Sequence, residues 1–115
     1  MKYRRLGKTD LNVSVVCQGG WSIVGDWTWG PQDANDAVAA IHAALDAGIN
    51  FFDTAESYGN GESEVLFGRE LTARRKDVVI ASKVGPDSLS PALLREHCES
   101  SLRRLNTDYI DLYQI

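Results

Sequence analysis

Short apolar stretches alternate along this chain with segments that carry helix signals, and that order constrains the fold more than any other feature. Val13, Val15 and Val16 lead into Cys17, Gln18, Gly19 and Gly20, which reads as a first core strand ending in a glycine turn. Residues 49–53, 78–84 and 109–115 read as a second, third and fourth strand. The third is almost continuously apolar, the pattern of a parallel strand buried on both faces. Three helices fall between them. The first has Asp33 as its cap, Asp36 in its first turn, an apolar stripe at Val38, Ile41 and Leu45, and a stop at Gly48. The second runs from about Ser63 to Leu71, with Val65, Leu66 and Leu71 apolar. The third opens at Ser90, a cap followed by Pro91 at the first helical position. It carries Leu94, Cys98, Leu102 and Leu105 on one stripe, and Asn106 closes it. Ahead of the first strand, Gly7-Lys8-Thr9-Asp10 separates residues 3–6 from 11–14, a small hairpin spanning about 2–14. Strand–helix alternation implies a parallel sheet with right-handed crossovers. Two architectures fit: an open doubly wound sheet, or a piece of a (β/α)₈ barrel.

Composition narrows the class of function. The 115 residues suffice for one domain and a core but not for two domains. Twelve basic against sixteen acidic side chains leave a net charge of −4, which weighs against nucleic-acid binding because phosphates need a basic face. No apolar run approaches the roughly 20 residues that span a bilayer, and no apolar signal stretch follows the basic start at Lys2, Arg4 and Arg5. Cys17 and Cys98 are too few for a disulfide framework and read as small core residues. The expectation is a soluble cytoplasmic protein with neither nucleic-acid nor membrane partners. His42 and His97 read as solvated helix residues without ligand-spaced partners, so no metal is expected. Arg74-Arg75-Lys76 reads as a solvated connector.

In either architecture the chemistry belongs at the C-terminal ends of the strands. Those ends carry Gly19-Gly20-Trp21, Asp53 and Lys83. Asp53 and Lys83 are charges at the ends of apolar runs, and buried charges persist only when paired. Adjacent strands lie about 4.8 Å apart, so the two can meet. Tyr58 sits in the loop above them. A cation beside a phenol favours phenolate, which makes a proton donor for a developing alkoxide. The plainer readings stay open here: an Asp that caps a turn, and a solvated Lys. Trp21, Trp27 and Trp29 share one loop above the first strand, either as a packed aromatic cluster or as one wall of an apolar substrate pocket. Gly59-Asn60-Gly61 faintly echoes a dinucleotide fingerprint, but it lacks the third glycine and does not follow the first strand.

The stretch Gly48-Ile49-Asn50-Phe51-Phe52-Asp53-Thr54-Ala55-Glu56-Ser57-Tyr58-Gly59, continued by Glu62 to Gly68, resembles the aldo-keto reductase signature. Val79-Ile80-Ala81-Ser82-Lys83 is similar to that family's lysine strand, and residues 101–115 to the segment leading to its histidine. Tyr3-Arg4-Arg5-Leu6-Gly7-Lys8-Thr9 is similar to the opening hairpin of bacterial-type members. The resemblance covers the whole chain with its motifs in order.

It implies a (β/α)₈ barrel that reduces carbonyl compounds with NADPH and without metal. Asp53, Tyr58 and Lys83 match three of the family's four catalytic residues; the fourth, a histidine, would follow Ile115. Tyr58 would donate the proton, Lys83 would lower its pKa, and Asp53 would hold Lys83. Gly19, Gly20, Trp21 and Asp53 would touch the cofactor, and the substrate pocket would draw on Trp21, Trp27, Trp29 and Tyr58. A barrel of this type takes about 250 residues, so residues 1–115 read as its N-terminal half. The expectation is a fragment, inactive alone, with unpaired sheet edges that favour self-association or pairing with the missing half. A non-enzymatic half-barrel acting as an interaction module is the alternative reading.

Overall fold

The computed structural model describes all 115 residues. A hairpin opens the chain, with β1 (Tyr3–Arg5) antiparallel to β2 (Asn12–Ser14). A four-stranded parallel sheet follows, built from β3 (Gln18–Gly19), β4 (Phe51–Asp53), β5 (Val79–Lys83) and β6 (Leu112–Gln114). Helices α1 (Ala34–Asp46), α2 (Glu62–Leu71) and α3 (Pro91–Arg104) form the connections. The spatial order is β3-β4-β5-β6, the order of the chain. That decides between the two architectures. A doubly wound sheet reverses its strand order at a switch point, whereas a barrel adds each strand beside the one before it. The helices follow suit, α1 packing on α2 and α2 on α3. No helix is long and apolar enough to cross a membrane.

Strand alternation sorts the side chains. Phe52 and Ile80 point to the helices, where with Ile23, Ile41, Phe67, Leu71, Val78 and Leu105 they form the core. Asp53, Lys83 and Gln114 point to the other face, which no helix covers. Register aligns Gly19 with Asp53, Asp53 with Ala81, and Lys83 with Gln114.

The helix caps are those the sequence predicts. Asp33 Oδ1 accepts from the backbone N–H groups of Asn35 (2.7 Å) and Asp36 (3.2 Å). Ser90 Oγ accepts from Leu93 N–H, and Asn106 closes α3 at φ 50°. The buried faces differ from expectation. On α1 they are Ala37, Ile41 and Ala44, with Val38 and Leu45 only half-buried, because the alanines let the helix lie close to the sheet. On α2 the inward face is Ser63, Glu64, Phe67 and Leu71, while Val65 is exposed. Its two polar members are satisfied: Ser63 Oγ donates to Gly20 O (2.9 Å), and Glu64 receives Ser82 Oγ and Arg104 Nε. On α3 only Ser101 is fully buried within the helix; Leu94, Cys98 and Leu102 are half-buried, and Leu105 is buried just past its end.

All four parallel strands are shorter than the apolar runs suggest, the first and the last most of all. Val15 and Val16 are about half exposed rather than part of a core strand, because Val15 N–H bonds back to Lys2 O and prolongs the hairpin. The last strand starts at Leu112. Before it, Asp111 Oδ2 accepts Ile80 N–H (2.9 Å), so a side chain stands in for a strand partner.

Candidate active site

Three sequence-predicted residues converge at the C-terminal end of the sheet. Lys83 Nζ donates to Asp53 Oδ2 at 2.6 Å, to Thr54 O at 2.8 Å and to Tyr58 Oη at 3.3 Å. An ammonium has three N–H donors, and these are three acceptors. The Lys83 and Asp53 side chains are each 31% exposed, so the group sits at an open surface. Lys83 thus bonds across the sheet as well as facing solvent, and Asp53 bonds a side chain on the neighbouring strand. Asp53 has a second partner that sequence reasoning missed: Gln114 Nε2 donates to its Oδ1 at 3.2 Å. The signal lay in the register, since Gln114 on β6 faces the same side as Lys83.

The loop carrying Tyr58 is held from several sides. Thr54 is buried, and its hydroxyl meets Ser63 Oγ at 2.8 Å. Glu56 Oε1 accepts Gly85 N–H (2.7 Å), and its Oε2 lies 2.7 Å from His97 Nδ1. His97 is therefore not a solvated helix residue but ties α3 to this loop. Beyond Tyr58, Gly59, Asn60 and Gly61 are all left-handed, a tight turn into α2. At Gly61 a Cβ would lie 2.6 Å from the Arg104 side chain, so the glycine lets α3 pack against this turn.

The glycine pair divides. Gly20 is buried, its N–H bonds Asp53 O (2.8 Å), and a Cβ there would collide with Ser63 Oγ. Gly19, beside Asp53, has nothing within 4 Å of a built Cβ, so the strand end is bare there. The tryptophans divide too. Trp21 stacks on Tyr58 with centroids 5.8 Å apart at 11°, and Trp29 meets Trp21 edge-on at 5.9 Å. Trp27 is 93% exposed and stands apart from this stack.

Other expectations need correction. Cys17 is exposed on the sheet face of Asp53, not a core residue; partial desolvation and then the Asp53 charge push its thiol up to about 11. Cys98 is half-buried, its thiol raised by burial. Arg75 is no solvated connector: it pairs with Asp111 at 2.8 Å, both side chains 12% exposed, and lies over the Tyr109 ring. No group of three His, Cys, Asp or Glu gathers as a metal site would require.

Comparison with known proteins supplies a frame for this geometry. The model of the "Aldo/keto reductase family" matches residues 15–115. The chain is 38% identical to the aldo-keto reductase YhdN of Bacillus subtilis, over all of this chain and 38% of that protein. It is 40% identical to a "Probable voltage-gated potassium channel subunit beta" of Arabidopsis thaliana, over 97% of this chain and 36% of that one. Among solved structures, an aldo-keto reductase from Klebsiella pneumoniae in complex with NADPH superposes with a TM-score of 0.78 at 36% identity, over 89% of this chain and 34% of its own. The chain thus spans less than two fifths of the length of these relatives.

Proposed function

The chain belongs to the aldo/keto reductase family, and on that premise we propose that the protein carrying these residues is an NADPH-dependent reductase of aldehydes or ketones. One observation carries the reading: a single ammonium, Lys83, is bonded at once to the Asp53 carboxylate and to the Tyr58 phenol. The bare strand end at Gly19, beside Asp53, supports the reading that the cofactor's flat ring would lie there. Gly20 lies behind that surface, packed on Ser63. When bound, the cofactor supplies the hydride that adds to the carbonyl carbon. Tyr58 Oη gives its proton to the carbonyl oxygen, and hydride plus proton convert C=O to an alcohol. The charge left on the phenol oxygen lies 3.3 Å from Lys83 Nζ, where the ammonium stabilises it. Asp53 and Thr54 O fix that ammonium, and Gln114 fixes Asp53.

The test is reduction of a small aldehyde, followed by loss of NADPH absorbance, in the reading-frame product that carries these residues. Tyr58→Phe is expected to lower kcat by about 10²- to 10⁴-fold, the usual contribution of general acid catalysis, with NADPH affinity retained. Equal turnover in the two proteins sinks the proposal.

A second reading, as a non-enzymatic subunit or interaction module, draws on the potassium-channel β subunit being as similar as the reductase. Quenching of tryptophan fluorescence by NADPH without turnover would favour it. The sheet has β3 and β6 at its edges, which supports self-association of the 115 residues or their pairing with the rest of a barrel. A compact monomer in sedimentation would overturn that expectation.

A further inference from the structure

We infer that Asp26 is a positioning residue that sets the Trp21 indole over the Tyr58 ring. The inference rests on the reading of Tyr58 as the proton donor. Asp26 gathers four bonds in a loop that Ile23 anchors in the core but that belongs to no helix or sheet strand. Its Oδ2 accepts the Trp21 indole N–H at 2.5 Å. Its Oδ1 accepts the backbone N–H groups of Thr28 (2.7 Å) and Trp29 (2.9 Å), and its carbonyl accepts Gly30 N–H (2.7 Å). The last closes an antiparallel bridge between Asp26 and Gly30. Gly25 makes the turn possible at φ 70°, where a Cβ would press 2.6 Å from Gly30 O.

The carboxylate therefore does two separable things. One oxygen folds the turn, and the other holds the indole. Indole has one N–H donor, so one bond to a charged acceptor sets the ring's rotation. That rotation leaves Trp21 parallel to Tyr58 and edge-on to Trp29. Stacking alone leaves such a half-exposed ring several offset arrangements of similar energy. The bond to Asp26 selects one of them. One side of the phenol that would give up its proton is thus walled by an aromatic plane whose angle a carboxylate in the same loop controls.

The test separates the two oxygens and needs no turnover. In a background with Trp27→Phe and Trp29→Phe, Trp21 is the sole indole. Asp26→Asn still has a carbonyl oxygen for the turn but cannot offer a charged acceptor to the indole; Asp26→Ala removes both. The expected result is that Asn and Ala alike lose the near-UV circular dichroism of Trp21 and raise its quenching by acrylamide to a common level. If Asn behaves as Asp while Ala differs, the carboxylate only holds the turn and the inference fails. If all three agree, stacking alone holds the ring and it fails as well. Should either variant lose far-UV signal, the unsubstituted chain decides by NMR. The Trp21 indole N–H is expected downfield of that of exposed Trp27, and coincidence of the two overturns the inference. A failed aldehyde assay would remove the reductase reading while leaving these optical outcomes intact.

Discussion

The two ends of the parallel sheet each hold an ion pair, and the pairs are built differently. At the C-terminal end, Lys83 and Asp53 meet at 2.6 Å with 31% of each side chain exposed. At the N-terminal end, Arg75 and Asp111 meet at 2.8 Å with only 12% exposed. Arg75 also donates to Val78 O, Tyr109 O and Thr107 Oγ1 and lies 3.8 Å from the Tyr109 ring centroid, while Asp111 accepts the N–H of Ile80. Nearly every partner there is structural: strand ends, a turn and an aromatic ring. The upper pair instead lends its third donor to a phenol at an open surface. The lower pair is enclosed among strand ends and a ring, whereas the upper pair, with all three Lys83 donors also used, keeps a side exposed, as the proposed reaction needs. In (β/α)₈ barrels generally the lower face serves stability and the upper face carries the chemistry, and the proposed function places these two pairs on that pattern.

The contrast is sharpest in denaturation. Arg75→Ala leaves Asp111 largely buried without its counter-charge and opens the gap beside Tyr109; an unfolding cost of about 3–5 kcal/mol is expected. Lys83→Met removes the counter-charge of a carboxylate that still reaches water and Gln114, and a change of no more than about 1 kcal/mol is expected. Urea midpoints of the two variants measure both. Equal losses would mean that the ends do not differ in kind.

Gly20 links the two tasks. It lies at the C-terminal end of the strands, beside the candidate site, but acts as a packing residue, and its built Cβ would crowd Ser63 Oγ, Phe67 and Asp53 O. Gly20→Ala is expected to cost about 1–3 kcal/mol, the usual range for overpacking. A matching substitution at Gly19, which faces open space, is expected to leave the urea midpoint unchanged. If the two glycines respond alike, the division between a packed and a bare strand end is wrong.

Much of this was legible in the sequence, for a reason the residues make plain. Periodicity and caps are local, so Asp33, Ser90 and Asn106 located helix ends. Asp53 and Lys83 stood out because a charge ending an apolar run demands a partner. Side chains that act across the chain were hidden. Gln114 reaches Asp53 over 61 positions, His97 reaches Glu56 over 41, and Arg75 reaches Asp111 over 36. Glu64 was hidden for another reason: on a helix an acidic residue reads as solvated, and only the fold shows it fully buried against Arg104 and Ser82. Apolar content misled at Val15, Val16 and Val65, where the nearest available face is solvent.

The smallest effect lies in acid. Hydrogen bonds from Trp29, Trp21 and Thr28 outweigh desolvation and hold the Asp26 carboxyl below its ordinary 3.8. A depressed folded pKa means that the contribution of the ionised group is fully present above 3.8 and is lost as pH falls through the folded value. The upper loop should therefore keep its Trp21 signal at pH 5 and through 3.8, and release it only at lower pH. Emission of Trp21 in the single-indole background, titrated downward beside far-UV circular dichroism, makes the measurement. Release of the indole ahead of the helix signal is the expected order, since the loop is exposed and the core pairs lie elsewhere. If the two signals fall together, or the indole is released above 3.8, the carboxylate does not hold the ring and the aromatic wall belongs to the packed part of the molecule.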